Sequence, residues 1–246
     1  MDGTLDKNAG TISAMFNRIA PRYDRLNHIL SLNIDRLWRK KSAAFLLGRG
    51  ANTELDIACG TGDSTIGIYR KGMEVTGADI AEKMVEVARA KTARLKPRLR
   101  PGTGQALPLP RYVIASAEAL PFPEASFDAV SISFGIRNFD RRSHCLNEIF
   151  RVIRPGGCVA ILEFAKPRNR LIRSAYNLYF NRILPVIGRI ASRDPRAYAY
   201  LAESVEQFPR YEDFCSEIRA AGFTQAGYRT FTAGIAVLYT GFKNES

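Results

Sequence analysis

Apolar and polar positions along this chain change period several times. Short, nearly continuous apolar runs predict buried strands at 54–57, 74–79, 111–115, 127–133 and 158–164. Between them, spacings of three and four predict helices at about 64–71, 82–95 and 142–153. Met84, Val87 and Ala88 mark the inward side of the second. Arg154-Pro155-Gly156-Gly157 is a stop signal after the third. Short strands alternating with helices predict an α/β fold, a doubly wound and mostly parallel sheet. Two further helices at 198–208 and 211–221 lead to strands at 223–230 and 234–242, which predict an antiparallel C-terminal edge. The stretch 96–110 carries Pro97, Pro101, Pro108, Pro110 and two glycines, and reads as an exposed loop. No internal repeat and no linker divides the chain, so residues 1–246 are expected to form one domain.

Two regions lie outside this alternation. Residues 11–45 are helical in pattern, broken near Pro21 and Asn33, with Ile12, Met15, Phe16 and Ile19 on one face. Residues 1–48 therefore predict added N-terminal helices. The polar run Tyr23-Asp24-Arg25-Leu26-Asn27-His28 favours a lid over an active site rather than a plain packing cap. The second region is a basic helical insertion at 166–210. From Lys166 to Arg193 it holds seven basic residues and no acidic one, interleaved with Leu171, Ile172, Tyr176, Leu178 and other apolar side chains. That composition suits a helix lying in an anionic membrane interface. It equally suits a helix pair packed on the domain with its arginines solvated.

Composition changes the picture in one respect. A hydrophobic fraction of 46% and a charged fraction of 24% are ordinary for a globular protein, but the formal charge is +12. Strongly basic chains meet nucleic acid or anionic membranes. No apolar run approaches the roughly 20 residues of a spanning helix, and Met1–Gly10 lacks the apolar core of a signal peptide. Cys59, Cys145, Cys158 and Cys215 are scattered without metal-ligand spacing, and are expected to be reduced. These features predict a cytoplasmic protein, peripheral to the inner face of the cytoplasmic membrane if the basic insertion binds lipid.

The chemistry centres on Glu54-Leu55-Asp56-Ile57-Ala58-Cys59-Gly60-Thr61-Gly62-Asp63-Ser64, a strand running into a glycine turn and a helix. Gly60 and Gly62 let backbone approach a bound molecule closely. The next strand ends in Asp79, an acid placed to accept hydrogen bonds from a ribose. A dinucleotide fingerprint would have a third glycine where Thr65 stands. The pattern Asp56-x-x-x-Gly60-x-Gly62 instead resembles motif I of Rossmann-like class I S-adenosylmethionine-dependent methyltransferases. That resemblance implies S-adenosyl-L-methionine as cofactor, with Asp56 near its methionine part and Asp79 on its ribose. Many such proteins have glycine at the position of Ala58.

Further stretches resemble the demethylmenaquinone/2-methoxy-6-polyprenyl-benzoquinol methyltransferases of quinone biosynthesis, over nearly the whole chain. They are Phe16-Asn17-Arg18-Ile19-Ala20-Pro21-Arg22-Tyr23-Asp24, Arg36-Leu37-Trp38-Arg39-Lys40, Ala117-Glu118-Ala119-Leu120-Pro121-Phe122-Pro123, Ser131-Ile132-Ser133-Phe134-Gly135-Ile136-Arg137-Asn138, Tyr200-Leu201-Ala202-Glu203-Ser204 and Thr232-Ala233-Gly234-Ile235-Ala236. Asp35 stands where many members have histidine, and the 96–110 stretch is longer than usual. The resemblance implies cofactor contacts at Thr61, Asp79, Ser116, Ala117 and Ser133, and C-methylation of a prenylated quinol, with demethylmenaquinol favoured over a polyprenyl benzoquinol of ubiquinone biosynthesis. Making a ring carbon nucleophilic requires removal of a phenolic proton, and phenols titrate near ~10. Arg137 is the expected cation for the phenolate and Asn138 the group that orients the ring or a water. Tyr23, His28 or a water is left as the base. A nucleic-acid-binding protein, or an RNA methyltransferase, is the competing reading of the charge; no nucleic-acid motif accompanies it in 166–193.

Overall fold

The computed structural model describes residues 6–178 and 195–245. Seven strands form one sheet in the order β5-β2-β1-β6-β7-β9-β8. They are β1 (Thr53–Ile57), β2 (Glu74–Asp79), β5 (Arg111–Ile114), β6 (Phe127–Ser133), β7 (Ile153–Phe164), β8 (Thr224–Phe231) and β9 (Ala236–Phe242). The five from β5 to β7 run parallel, while β9 pairs antiparallel with both β7 and β8. The expected doubly wound sheet and antiparallel edge are both present. The chain starts at the centre with β1, winds outward through β2 and β5, then returns to β6 on the other side. The strand order therefore reverses between β1 and β6, and a crevice opens beyond their C-terminal ends.

The period-two pattern divides the strand side chains between two cores. On one face, Val130, Ile132, Val159 and Ile161 pack with Leu146 and Ile149 of α6 (Arg142–Val152) and with Phe214 and Ile218 of α9 (Glu212–Ala220). On the other, Ala129, Ala160 and Leu162 pack with Trp38 and Leu46 of α3 (Ile34–Leu47) and with Ile68 and Tyr69 of α4 (Asp63–Tyr69). The four cysteines are buried and unpaired.

The N-terminal pattern forms α1 (Ala9–Ile19), a 3-10 turn at Ala20–Arg22 containing Pro21, α2 (Tyr23–Leu30), and then α3 after Asn33 in the left-handed region at φ 61°. Trp38 of α3 donates its indole N–H to Thr232 at 2.9 Å, so two of the family-like stretches meet in space.

The structure corrects the sequence reading of 96–110. Two-residue strands β3 (Arg98–Leu99) and β4 (Ala106–Leu107) pair as an antiparallel ribbon. Gly102 and Gly104, at φ 79° and 69°, supply the left-handed turn between them. Boundaries shift elsewhere. The second core helix, α5, spans Glu82–Thr92. The last strand begins at Ala236, because Thr232–Gly234 form a 3-10 turn. In the basic region α7 spans Arg170–Leu178, and α8 begins at Pro195 and runs to Gln207. Residues 179–194, with Arg182, Arg189 and Arg193, lie outside the described residues.

Candidate active site

The glycine turn follows β1 as the sequence implies. Gly60 and Gly62 have φ of 55° and 82°. A Cβ on Gly62 would come within 2.7 Å of the Tyr112 hydroxyl, so only glycine fits there. A Cβ on Gly60 would instead have Tyr23 as its nearest contact, at 3.8 Å, across the crevice. Ala58 shares the left-handed region at φ 53°, where glycine would be unstrained. The turn is held by Asp79. Its Oδ2 accepts the Gly60 N–H and its Oδ1 accepts the Ala81 N–H, both at 2.8 Å. Burial nonetheless pushes the Asp79 carboxyl above its usual range, against these hydrogen bonds.

A cleft of about 780 Å³, its open mouth included, lies over the switch point. Gly60 after β1, Asp79 at the end of β2, Met84, and Ser116 and Ala117 after β5 line it. Ser133, Phe134, Gly135, Asn138 and Asp140, at and after the end of β6 on the other side of β1 from β2, line it as well. Ile12 and Phe16 of α1, with Tyr23 of α2, line it from the N-terminal side. A cleft of this volume, with an acid at the tip of β2 and an apolar wall from α1, suits a nucleoside joined to an amino acid, with room for an aromatic acceptor. The bare Cα of Gly60, facing Tyr23 across the cleft, supplies the close backbone approach that such a cofactor needs. The residues present fit S-adenosylmethionine.

Six of the twelve sequence-predicted site residues line the cleft on its floor: Gly60, Asp79, Ser116, Ala117, Ser133 and Asn138. Tyr23 joins them from the N-terminal side. Burial holds its phenol above the usual range, which keeps it a donor rather than a base. Ser133 accepts a hydrogen bond from Ser64 at 3.0 Å, so its own O–H can turn into the cleft. The Asn138 carbonyl oxygen accepts from the Tyr200 hydroxyl at 3.1 Å. That contact turns the amide N–H₂ away from Tyr200.

The other five stand behind the cleft wall. Asp56 is fully buried, its Oδ2 taken by Thr65 at 2.6 Å, and burial pushes its carboxyl up, to about 6. Thr65, the residue in place of a third glycine, thus anchors the strand end. Gly62 caps α4. Thr61 donates to Asp24, whose other oxygen pairs with Lys91 at 2.8 Å. His28 is held between Asp35 and Asp63, with 3.2 Å at each ring nitrogen, and offers neither to the cleft. Arg137 is buried, with Nη1 at 2.8 Å from Glu163 and also bonded to the Phe134 carbonyl, and Nε 3.2 Å from Ser204. It braces the 3-10 turn that carries Asn138.

Sequence reasoning missed Lys7, which lines the cleft beside Asn138 and Asp140. It also missed Glu163, Tyr200 and the link from Asp24 to Lys91. Glu163 had a visible signal, being the one acid in an otherwise apolar strand. Lys7 had none.

Comparison with known proteins shows the family and the fold. The model of the ubiE/COQ5 methyltransferase family matches residues 4–243. A ubiquinone/menaquinone biosynthesis C-methyltransferase, UbiE, of Geobacter sulfurreducens is 42% identical, covering 97% of this chain and 91% of the relative. A demethylmenaquinone methyltransferase of Deinococcus radiodurans is 41% identical over 98% of this chain and 96% of its own. Among solved structures, an S-adenosylmethionine-dependent methyltransferase of Thermotoga maritima, described as a possible histamine N-methyltransferase, superposes with a TM-score of 0.63 at 18% identity. It covers 94% of this chain and 99% of that one, and the likeness is one of fold.

Proposed function

The chain belongs to the ubiE/COQ5 methyltransferase family, and we propose that it transfers a methyl group to a ring carbon of a prenylated quinol, converting demethylmenaquinol to menaquinol. It is an S-adenosylmethionine-dependent enzyme of quinone biosynthesis. The observation that carries the substrate reading is one cleft lined by both Asp79 and Asn138, with apolar side chains of α1 in its wall.

Bound S-adenosylmethionine supplies an electrophilic methyl carbon. The protein supplies position and electrostatics. Each Asp79 oxygen has a lone pair beyond its backbone contact, enough to accept the ribose hydroxyls. Ser116 and Ala117, after β5, are read as the groups at the adenine edge, and Ser133 as a further cofactor contact from the end of β6. The Asn138 amide, turned by Tyr200, can donate to a quinol oxygen and hold the ring over the methyl carbon. Phe134, stacked on Phe164 at 4.3 Å, gives the cleft a flat aromatic wall. The helices of residues 1–48 act as the lid that keeps water from this step. Labelled methyl should move from the cofactor to demethylmenaquinol faster than to a polyprenyl benzoquinol, and not to RNA. Label in RNA alone would overturn the reading.

A prenyl tail dwells in the bilayer, so the enzyme must collect its substrate at a surface. Among the described residues no helix is long and apolar enough to cross a membrane. On α7, Leu171 and Leu178 are 83% and 59% exposed, alongside Arg170 and Arg173. Exposed leucines flanked by arginines support peripheral binding to an anionic leaflet, at about 1 kcal/mol per basic side chain. The double reversal Arg170→Glu with Arg173→Glu is expected to weaken binding to phosphatidylglycerol vesicles by roughly 10-fold or more. It should slow methylation of a long-tailed quinol while sparing a short-tailed one. Equal loss on both substrates, or vesicle sedimentation independent of anionic lipid, would remove the membrane role.

A further inference from the structure

The quinol hydroxyl needs a base, and the two side chains the sequence offered are poorly suited. His28 is held between two carboxylates outside the cleft, and Tyr23 is a donor. Lys7 precedes α1 and lines the same cleft as Asn138, Phe139 and Asp140. Among the described residues its ammonium nitrogen has no hydrogen bond and no ion pair, although the side chain is partly buried. The charged groups that face it are Arg142 of α6, Arg137 and Asp140 after β6, and Glu163 of β7. All of them belong to β7 and to the chain between β6 and β7, on the other side of β1 from β2, which ends in Asp79. Lys7 therefore stands on the β6 side of the cleft, with Asn138.

We infer that Lys7 is the general base of this enzyme, taking the hydroxyl proton of the quinol beside the reacting ring carbon. The inference rests on the quinol reading above. The O–H bond breaks, its proton joins the lone pair on Nζ, and its electron pair remains on the ring oxygen. From there electron density reaches the adjacent ring carbon, which becomes the nucleophile. As that carbon bonds the methyl group, the methyl–sulfur bond breaks and its electron pair stays on sulfur; the hydrogen that the ring carbon carried then leaves as a proton to water. The Lys7 ammonium then returns its proton to the ring oxygen. One proton is released per turnover and Lys7 ends as it began.

A lysine can act this way only if a useful fraction is unprotonated at working pH. Burial in the cleft wall holds its ammonium below the usual lysine range, and the Arg142 and Arg137 guanidiniums push the same way. Asp140 and Glu163 oppose them. The amine is the active form, so kcat should rise with pH and level off once Lys7 has lost its proton.

The test uses the full chain, saturating S-adenosylmethionine and a short-tailed demethylmenaquinol. Lys7→Met and Lys7→Arg are each expected to lower kcat by roughly 100-fold or more, with cofactor affinity by calorimetry unchanged. The rising limb of the pH profile should vanish in both. Arginine keeps the positive charge but cannot serve as a base. If Lys7→Arg turns over within a few-fold of the original protein, a fixed cation suffices and the inference falls. It falls equally if Lys7→Met keeps the limb. A readout without turnover is ¹³C reductive methylation of the lysines. The resonance missing from Lys7→Arg should titrate below the other lysines, and a signal grouped with them overturns the assignment. Absence of quinol methylation by the unaltered protein would instead strike the substrate reading.

Discussion

Arg137→Met is expected to destabilise the protein by about 3–5 kcal/mol, the cost of leaving a buried charge without its partner. Glu163 is fully buried, and Arg137 is 6% exposed. The pair is 2.8 Å apart, and the guanidinium also bonds Ser204 and the Phe134 carbonyl. Removing the guanidinium strands the carboxylate among Phe134, Phe164 and the strand backbone. The Arg137 N–H also reaches Glu163, at 3.3 Å, so the 3-10 turn carrying Asn138 loosens with it. Turnover should fall in the variant, but through the position of Asn138 rather than through loss of a cation touching substrate. The double variant Arg137→Met with Glu163→Gln removes both charges and should recover most of the stability, though not the turnover. Urea midpoints for the three proteins decide the matter. A midpoint for Arg137→Met equal to that of the unaltered protein would show that the pair contributes little. Full turnover in the double variant would detach Asn138 from this brace.

The fate of Arg137 illustrates what was legible. Its place just after β6, at the C-terminal end of a central strand, is readable from the apolar run at 127–133 and from the general rule for open sheets. Its orientation is not, because that depends on Glu163, 26 residues further along and on a neighbouring strand. The same distinction runs through the site. Asp79 and Gly60 are legible because their chemistry is local: a strand end and a positive φ. Asp56 has an equally local signature, but the depth of β1 in the sheet turns its side chain into the interior, onto Thr65. His28 sits in a suitable polar run, yet two carboxylates from α3 and α4 hold it outside the cleft. In the 96–110 stretch the prolines argue against regular structure, while the glycines that permit the ribbon turn look the same as loop glycines. Lys7 lies in a polar N-terminal run where no periodicity marks any side chain as inward. Only the packing of α1 on α5 brings it to the cleft.

Asp79→Ala is expected to weaken S-adenosylmethionine binding by roughly 1.5–3 kcal/mol, about 10- to 150-fold, as for hydrogen bonds to a charged group. Two effects contribute to that loss. The ribose hydroxyls lose their acceptor. The Gly60 and Ala81 N–H groups, each 2.8 Å from a carboxylate oxygen, also lose theirs, so the turn after β1 and the start of α5 relax. Asp79→Asn does not restore the original arrangement. Its amide oxygen can accept one backbone N–H, but its N–H₂ then faces the other, donor against donor. Affinity alone therefore does not separate ribose recognition from support of the turn. A cofactor analogue lacking one ribose hydroxyl does, when combined with the substitution in a thermodynamic cycle. If Asp79 holds the ribose, the unaltered protein should prefer the natural cofactor and Asp79→Ala should bind both about equally. If Asp79 serves only the turn, the substitution will weaken both ligands by the same factor and the preference will persist. Isothermal titration of the two proteins with the two ligands supplies all four affinities, and a preference retained in Asp79→Ala would move ribose recognition to another group in the cleft.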